Sequence, residues 1–224
     1  MLGLGTGPAV PGALDRLRDT VAALRGLLAG DPVEVDGRTI RLSLVPEASV
    51  PIWIAALGPR AMRLAGEIAD GVLLNWCSPE RVEAARTALR DGADAAGRDA
   101  ATIAVAVYVR ASVGMDDGAS LLAMQAAAGE YASYPAYARQ FASMGLGDEA
   151  AVAAAAHRSG EPEHVPEALV RAVCLVGDVD DARSRIDAYR QAGADLPVVY
   201  PVMAGEDGVG SVFATLANMA PELA

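Results

Sequence analysis

Apolar positions along the chain follow two alternating spacings. Leu14, Leu17, Val21, Leu24 and Leu28 fall three and four residues apart, one face of a helix, and Gly30 with Pro32 ends it. Before it, residues 1–4 form a short apolar run closed by Gly5-Thr6-Gly7, a strand followed by a glycine-rich turn. After it, Asp36-Gly37 between Val35 and Arg38 marks a small hairpin over 33–40. Residues 51–57 are continuously apolar and read as a buried strand. Gly58-Pro59 punctuates it, and proline suits the first position of the helix that follows. That helix carries Met62, Leu64, Ala65, Ile68 and Ala69 and ends at Asp70-Gly71. Residues 72–75 are another buried strand. Ser78-Pro79-Glu80 then opens a helix to about Ala96, with a capping hydroxyl, a proline and an acid at the positive end of the dipole.

Residues 102–109 form a long β-branched strand. From 117 to 158 there is no strand pattern, only helices broken near Tyr134-Pro135 and Gly145-Leu146-Gly147. Residues 173–176 fit either a short strand or the end of a helix. A helix capped by Asp178 runs to 192, a strand covers 196–200 and a last helix covers 211–219. Continuously apolar strands joined by helices predict an α/β protein with a parallel sheet buried on both faces. The expectation is one domain over 1–224, with a helical insertion over 115–172.

Composition narrows the function classes. With 224 residues and 53% hydrophobic content, the chain can bury a core and is not disordered. Its formal charge of −11 argues against nucleic acid as a partner. All 18 basic residues are arginine, so a lysine Schiff base is excluded. Cys77 and Cys174 are too few for a disulfide scaffold and read as buried thiols. Two histidines and two cysteines offer no zinc spacing, so no metal site is expected. Neither a signal peptide nor an apolar run near the ~20 residues of a membrane helix is visible, which predicts a cytoplasmic protein away from membranes.

Ligands of parallel α/β folds sit at the carboxyl ends of the strands. That rule selects Gly5-Thr6-Gly7, Ala55 to Arg60, Asn75-Trp76, Tyr108 to Arg110 and Tyr200-Pro201. Gly5 and Gly7 suit a tight turn, or close backbone approach to a flat ring or a phosphate. Gly58-Pro59-Arg60 places a helix start and a fixed cation at a strand end, which suits an anion as well as an ordinary turn. Asn75 and Trp76 offer an amide and a ring edge, or simply a packed turn. Tyr108 and Arg110 are read as facing opposite sides of their strand, with only one pointing into the crevice. His157 and His164 read as surface residues. Tyr131, Tyr134, Tyr137 and Phe141, at helical spacing, read as core or a partner helix rather than a substrate pocket. No catalytic triad or carboxylate pair is assembled, so the catalytic residue is unassigned.

Residues 51–60 and their continuation to Trp76, about 25 residues almost without a break, resemble the bacterial luciferase-like monooxygenase family, and within it the deazaflavin-dependent branch. Leu2 to Gly7, Tyr134-Pro135-Ala136-Tyr137 with Phe141, and Val176-Gly177-Asp178 with Ala192 to Val198 resemble further parts of the same pattern. The resemblance implies a TIM-type (β/α)8 barrel with reduced deazaflavin (coenzyme F-420) or FMN at the carboxyl ends of its strands. It implies an oxidoreductase or monooxygenase acting on a small organic substrate. Carried over, the cofactor-binding positions are Gly5, Thr6, Gly7, Ala55, Ala56, Gly58, Arg60, Ala61, Asn75 and Trp76. Members of the family extend about a hundred residues further at the amino end, where the first three strands and the usual acid/base group lie. The expectation is therefore an incomplete barrel of strands four to eight, with five long strands. This could be a fragment, a short relative completed as a homodimer, or a non-catalytic flavin-binding or structural barrel acting within an assembly.

Overall fold

The computed structural model describes residues 1–7, 10–115 and 117–221. Chain order begins with β1 (Leu2–Gly5), α1 (Ala13–Ala29), the hairpin strands β2 (Val33–Val35) and β3 (Arg38–Ile40), then β4 (Ile52–Ala55), α2 (Pro59–Ile68) and β5 (Gly71–Asn75). It continues with α3 (Pro79–Ala95), β6 (Ala104–Val113), α4 (Asp117–Ala132), α5 (Pro135–Ser143), α6 (Gly147–Ser159) and α7 (Glu167–Val173). β7 (Cys174–Gly177), α8 (Val179–Gln191), β8 (Leu196–Pro201) and α9 (Gly208–Met219) complete it. The chain divides into two compact units, one of Met1–Leu73 with Ala85–Val105, the other of Leu74–Ala84 with the residues from Ala106 onward.

In the first unit, β1, β4 and β5 lie parallel, with Leu2 opposite Ile52 and Trp53 opposite Gly71. Ile52, Ile54 and Val72 have no exposed surface, as a strand covered on both faces requires. Asp36 and Gly37 take positive φ, 49° and 74°, and close the expected hairpin with Val35 paired to Arg38. Asp70 organises the amino ends of the strands. Its carboxylate accepts from the Ile52 N–H at 2.8 Å and from Arg25 at 2.9 Å. Its own N–H donates to the Ile52 carbonyl at 2.9 Å, and its carbonyl accepts from the Ala104 N–H at 3.1 Å. Arg98 donates to the Gly66 and Ala69 carbonyls, which fixes the end of α2. Arg18 pairs with Glu67 across α1 and α2.

Two glycines set how closely α2 approaches α3. A Cβ on Gly66 would fall on the Leu89 carbonyl oxygen, and one on Gly92 would fall on that of Arg63. Backbone lies against backbone here, so neither neighbour can yield.

In the second unit, β6 is flanked by two parallel strands. Arg110 is in register with Cys174 of β7 and with Tyr200 of β8. Residues 174–177 are thus a strand, a sixth beside the five expected from the sequence. β6 begins at Ala104 rather than 102. Asp99 caps a 3₁₀ turn over Ala100–Thr102 by accepting from the Ala101 N–H at 2.9 Å, which holds Thr102 out of the strand. The described residues of 117–173 form helices, whose core joins Met124, Phe141, Leu169 and Val170 to Trp76. Ser112 and Ser120 share a buried hydrogen bond of 2.8 Å, and the Val113 N–H donates to Thr215 at 3.1 Å, tying β6 to α4 and α9. α9 starts at Gly208, earlier than the apolar pattern suggests, because Asp207 accepts from the Gly210 N–H.

Two outcomes follow from the first unit. Gly66→Ala would add about 1 kcal/mol of helix propensity at an exposed site. Here the clash reverses the sign, and urea unfolding is expected to show a net loss of about 1–3 kcal/mol. Burial pushes the Asp70 carboxyl up, but the hydrogen bonds from Arg25 and Ile52 and the charges of Arg25 and Arg98 outweigh it, so the group lies below its ordinary 3.8. A depressed folded value stabilises the protein above pH 3.8 and is lost as pH falls below it. Stability measured from pH 6 to 3 is expected to fall less steeply in Asp70→Asn than in wild type.

Candidate functional site

In the first unit, the carboxyl ends of β1 and β4 carry the glycine-rich turns. Gly5 is in register with Ala55, and Gly5, Gly7 and Ala55 are exposed. Thr6 donates from its hydroxyl to the Gly7 carbonyl at 3.3 Å. Gly7 has φ +64° with open space where a Cβ would stand, so a side chain there would be strained by its backbone rather than crowded. Ala56 is buried and its N–H donates to Leu73 at 3.3 Å.

Gly58 then leads α2 in an extended conformation, φ −92° and ψ 161°, with Pro59 at the first helical position. No side chain caps this end. The N–H groups of Arg60 and Ala61 lie in the first turn, where a helix supplies no acceptor. Arg60 is exposed, and Ala61 is half-buried. An uncapped helix start, an exposed glycine and an exposed guanidinium are thus adjacent, a combination whose chemistry suits an anion.

In the second unit, Asn75 and Trp76 end β5 in an unusual turn. Trp76 has φ +51°, a left-handed conformation that costs a bulky residue about 1–3 kcal/mol unless its surroundings enforce it. Gln140 of α5 enforces it, donating from Nε2 to the Asn75 and Trp76 carbonyls, both at 2.6 Å. The Asn75 side chain donates to the Tyr137 hydroxyl at 3.0 Å and accepts from Arg110 at 2.6 Å.

Arg110 is only 8% exposed. Its guanidinium carbon stands 4.1 Å from the Trp76 ring centre, 4.6 Å from Tyr131 and 5.3 Å from Tyr200. Each such contact contributes about 0.5–2 kcal/mol, most where water is excluded. Tyr131 in turn meets Trp76 at 4.9 Å and Tyr137 at 4.8 Å, while Phe141 packs edge-on to Trp76 at 6.3 Å. Trp76 is 1% exposed, and its indole Nε1 is buried without a hydrogen-bond partner. Burial pushes the Tyr137 hydroxyl up, against the opposing influence of the Asn75 hydrogen bond and the Arg110 charge.

Tyr108 and Arg110 are two residues apart, and both approach Tyr200, at 6.1 Å and 5.3 Å. They share a face of β6, which corrects the opposite-face reading, since a strand returns to the same side every second residue. The tyrosine stripe is core at Phe141, box wall at Tyr131 and Tyr137, and surface at Tyr134, which is 45% exposed. His157 and His164 are exposed. Burial pushes both thiols, Cys77 and Cys174, up to about 12, so neither is a nucleophile near neutral pH. Gln140 was not visible from the sequence, because its partners lie 64 and 65 residues away.

Residues 3–196 match the sequence profile of the family described as luciferase-like monooxygenase. The 5,10-methylenetetrahydromethanopterin reductase of Methanolobus tindarius is 36% identical over 128 residues, which are 50% of this chain and 39% of that protein. The F420-dependent glucose-6-phosphate dehydrogenase of Mycolicibacterium smegmatis is 37% identical over 108 residues, 45% of this chain and 32% of that one. The chain therefore spans well under half the length of these curated relatives. Among solved structures, the coenzyme F420 dependent tetrahydromethanopterin reductase of Methanopyrus kandleri superposes with a TM-score of 0.71 at 21% identity, over 98% of this chain and 72% of that one. An F420-dependent secondary alcohol dehydrogenase gives 0.73 at 19% identity, over 98% and 69%. At such identities the likeness establishes the fold, the α/β barrel type of the luciferase-like enzymes. No helix among the described residues is long and apolar enough to cross a membrane.

The Gln140 clamp yields a direct test. Gln140→Leu leaves two carbonyls without their donor, at about 1–3 kcal/mol if they stay buried, and frees the strained turn. Urea unfolding is expected to register that loss, and near-ultraviolet circular dichroism a weakened tryptophan signal, with far-ultraviolet helix content unchanged.

Proposed function

The chain belongs to the luciferase-like monooxygenase family, and from that premise we propose that it serves an oxidoreductase acting on a small organic substrate with a reduced deazaflavin as hydride donor. The observation that carries this reading is the start of α2, uncapped and beside the exposed Arg60. The deazaflavin coenzyme and FMN both carry a phosphate on the ribityl chain, and that chemistry fits a helix start with a fixed cation. Relatives named for a deazaflavin support that cofactor over FMN.

When bound, the reduced deazaflavin supplies the hydride. The residues of this chain bind and orient it. Gly58, Arg60 and the backbone of Ala61 hold the phosphate. Ala55 and Ala56, small at the end of β4, leave room for the ring or its ribityl chain. Gly5, Thr6 and Gly7 let the backbone come close to a flat ring. Asn75 and Trp76 contribute the turn at the end of β5, where Trp76 acts through its backbone, since its ring is buried. Self-association belongs to the same reading, because β1 pairs only with β4 and β8 only with β6 among the described residues. The two free, buried thiols suit a cytoplasmic setting.

Titration with oxidised deazaflavin and with FMN, followed by fluorescence, is expected to give saturable binding with preference for the deazaflavin. Failure to bind either one overturns the reading. Arg60→Ala is expected to weaken deazaflavin binding about tenfold, the loss of a charge-assisted contact. An unchanged dissociation constant would remove Arg60 from the phosphate site.

A further inference from the structure

We propose that the aromatic box around Arg110 seats an oxyanion of the substrate, a carboxylate or a phosphate group. The proposal rests on the oxidoreductase reading only in calling that ligand a substrate. Its physical basis is an excess of donors over acceptors. A guanidinium carries five N–H donors, and the polar partner described for Arg110 is the Asn75 side-chain oxygen. A cation that is 8% exposed normally sits against a carboxylate. Here Trp76, Tyr131 and Tyr200 surround it instead. Ring faces attract the charge but do not replace oxygen acceptors for its N–H groups. Glu130, beside Tyr131 in sequence, accepts instead from Tyr134 on the exposed side.

Two further donors stand in the same box. The Trp76 indole N–H is buried and without a partner. Tyr137 accepts from Asn75, so its own hydroxyl proton remains to be given. The missing complement is an acceptor with negative charge. On the outer side of the box Tyr200 is 49% exposed, and Tyr108 beside it 36%. Merely fixing Asn75 would take one hydrogen bond from a neutral donor, and would not call for an arginine without a counter-charge.

The test uses the tryptophans as reporters. Trp53→Phe leaves Trp76 as the remaining tryptophan, and its emission is followed while sodium acetate or inorganic phosphate is added, with sodium chloride at matched ionic strength as control. A saturable change with acetate or phosphate but not chloride is expected, and the better of the two identifies the group. Arg110→Gln is expected to weaken that response at least tenfold, and Arg110→Lys, which keeps the charge but loses the fork, to an intermediate degree. No saturable response to either anion overturns the proposal, as does an unchanged response in Arg110→Gln. If Arg110→Gln fails to fold, the parent titration and Arg110→Lys decide. A deazaflavin titration of the same variants separates the sources. If deazaflavin affinity falls together with the anion response, the seat is the cofactor's and the proposal is overturned; if it is unchanged while the anion response falls, the seat is the substrate's. A parent protein that binds the anion but no deazaflavin sustains the seat while the cofactor reading fails.

Discussion

The first unit depends on one carboxylate. Asp70 joins the starts of β4, β5 and β6 through its side chain and both of its backbone polar groups, and draws α1 in through Arg25. Parallel strands need their register fixed at some point, because evenly slanted ladders tolerate slippage wherever neither face is distinctive. With the amino ends fixed by Asp70 and its arginines, the carboxyl ends of β1 and β4 are free to carry backbone that no regular ladder would accept. Gly7 at positive φ and the uncapped Gly58 stand at those ends. The strands are thus tied at their amino ends and open at their carboxyl ends, the end at which parallel α/β folds generally place their ligands.

The second unit solves a different problem. Its helices pack around Trp76, a bulky side chain in a conformation it resists. The strain persists because Gln140 holds both carbonyls of the turn and because Arg110 and Tyr131 cover the indole. These groups form one network, in which Asn75 is bonded by both Gln140 and Arg110.

Much of this was legible in the sequence, for reasons that can be stated. The run from Pro51 to Trp76 revealed strand, helix and strand because glycine, proline and an unbroken apolar run act locally, and the helix start at Gly58-Pro59-Arg60 is equally local. Asp36-Gly37 specified its hairpin for the same reason. β7 was ambiguous because four apolar residues following a helix carry no period. The shared face of Tyr108 and Arg110 follows from strand geometry alone and was misassigned. Asn75 and Trp76 were visible as a strand end, but their partners come from α4, α5 and β6, through contacts that no short-range pattern encodes. The tyrosine stripe was seen as helical, yet which of its members wall the box depends on how α4 and α5 pack.

The sequence uses arginine and no lysine, and at position 110 that choice has a consequence. A buried lysine can shed its proton and become a neutral amine when solvation is withdrawn. A guanidinium does not titrate in proteins. At position 110 a planar fork of N–H donors stands in the interior of the second unit, and a group that met it would have to accept hydrogen bonds along that plane.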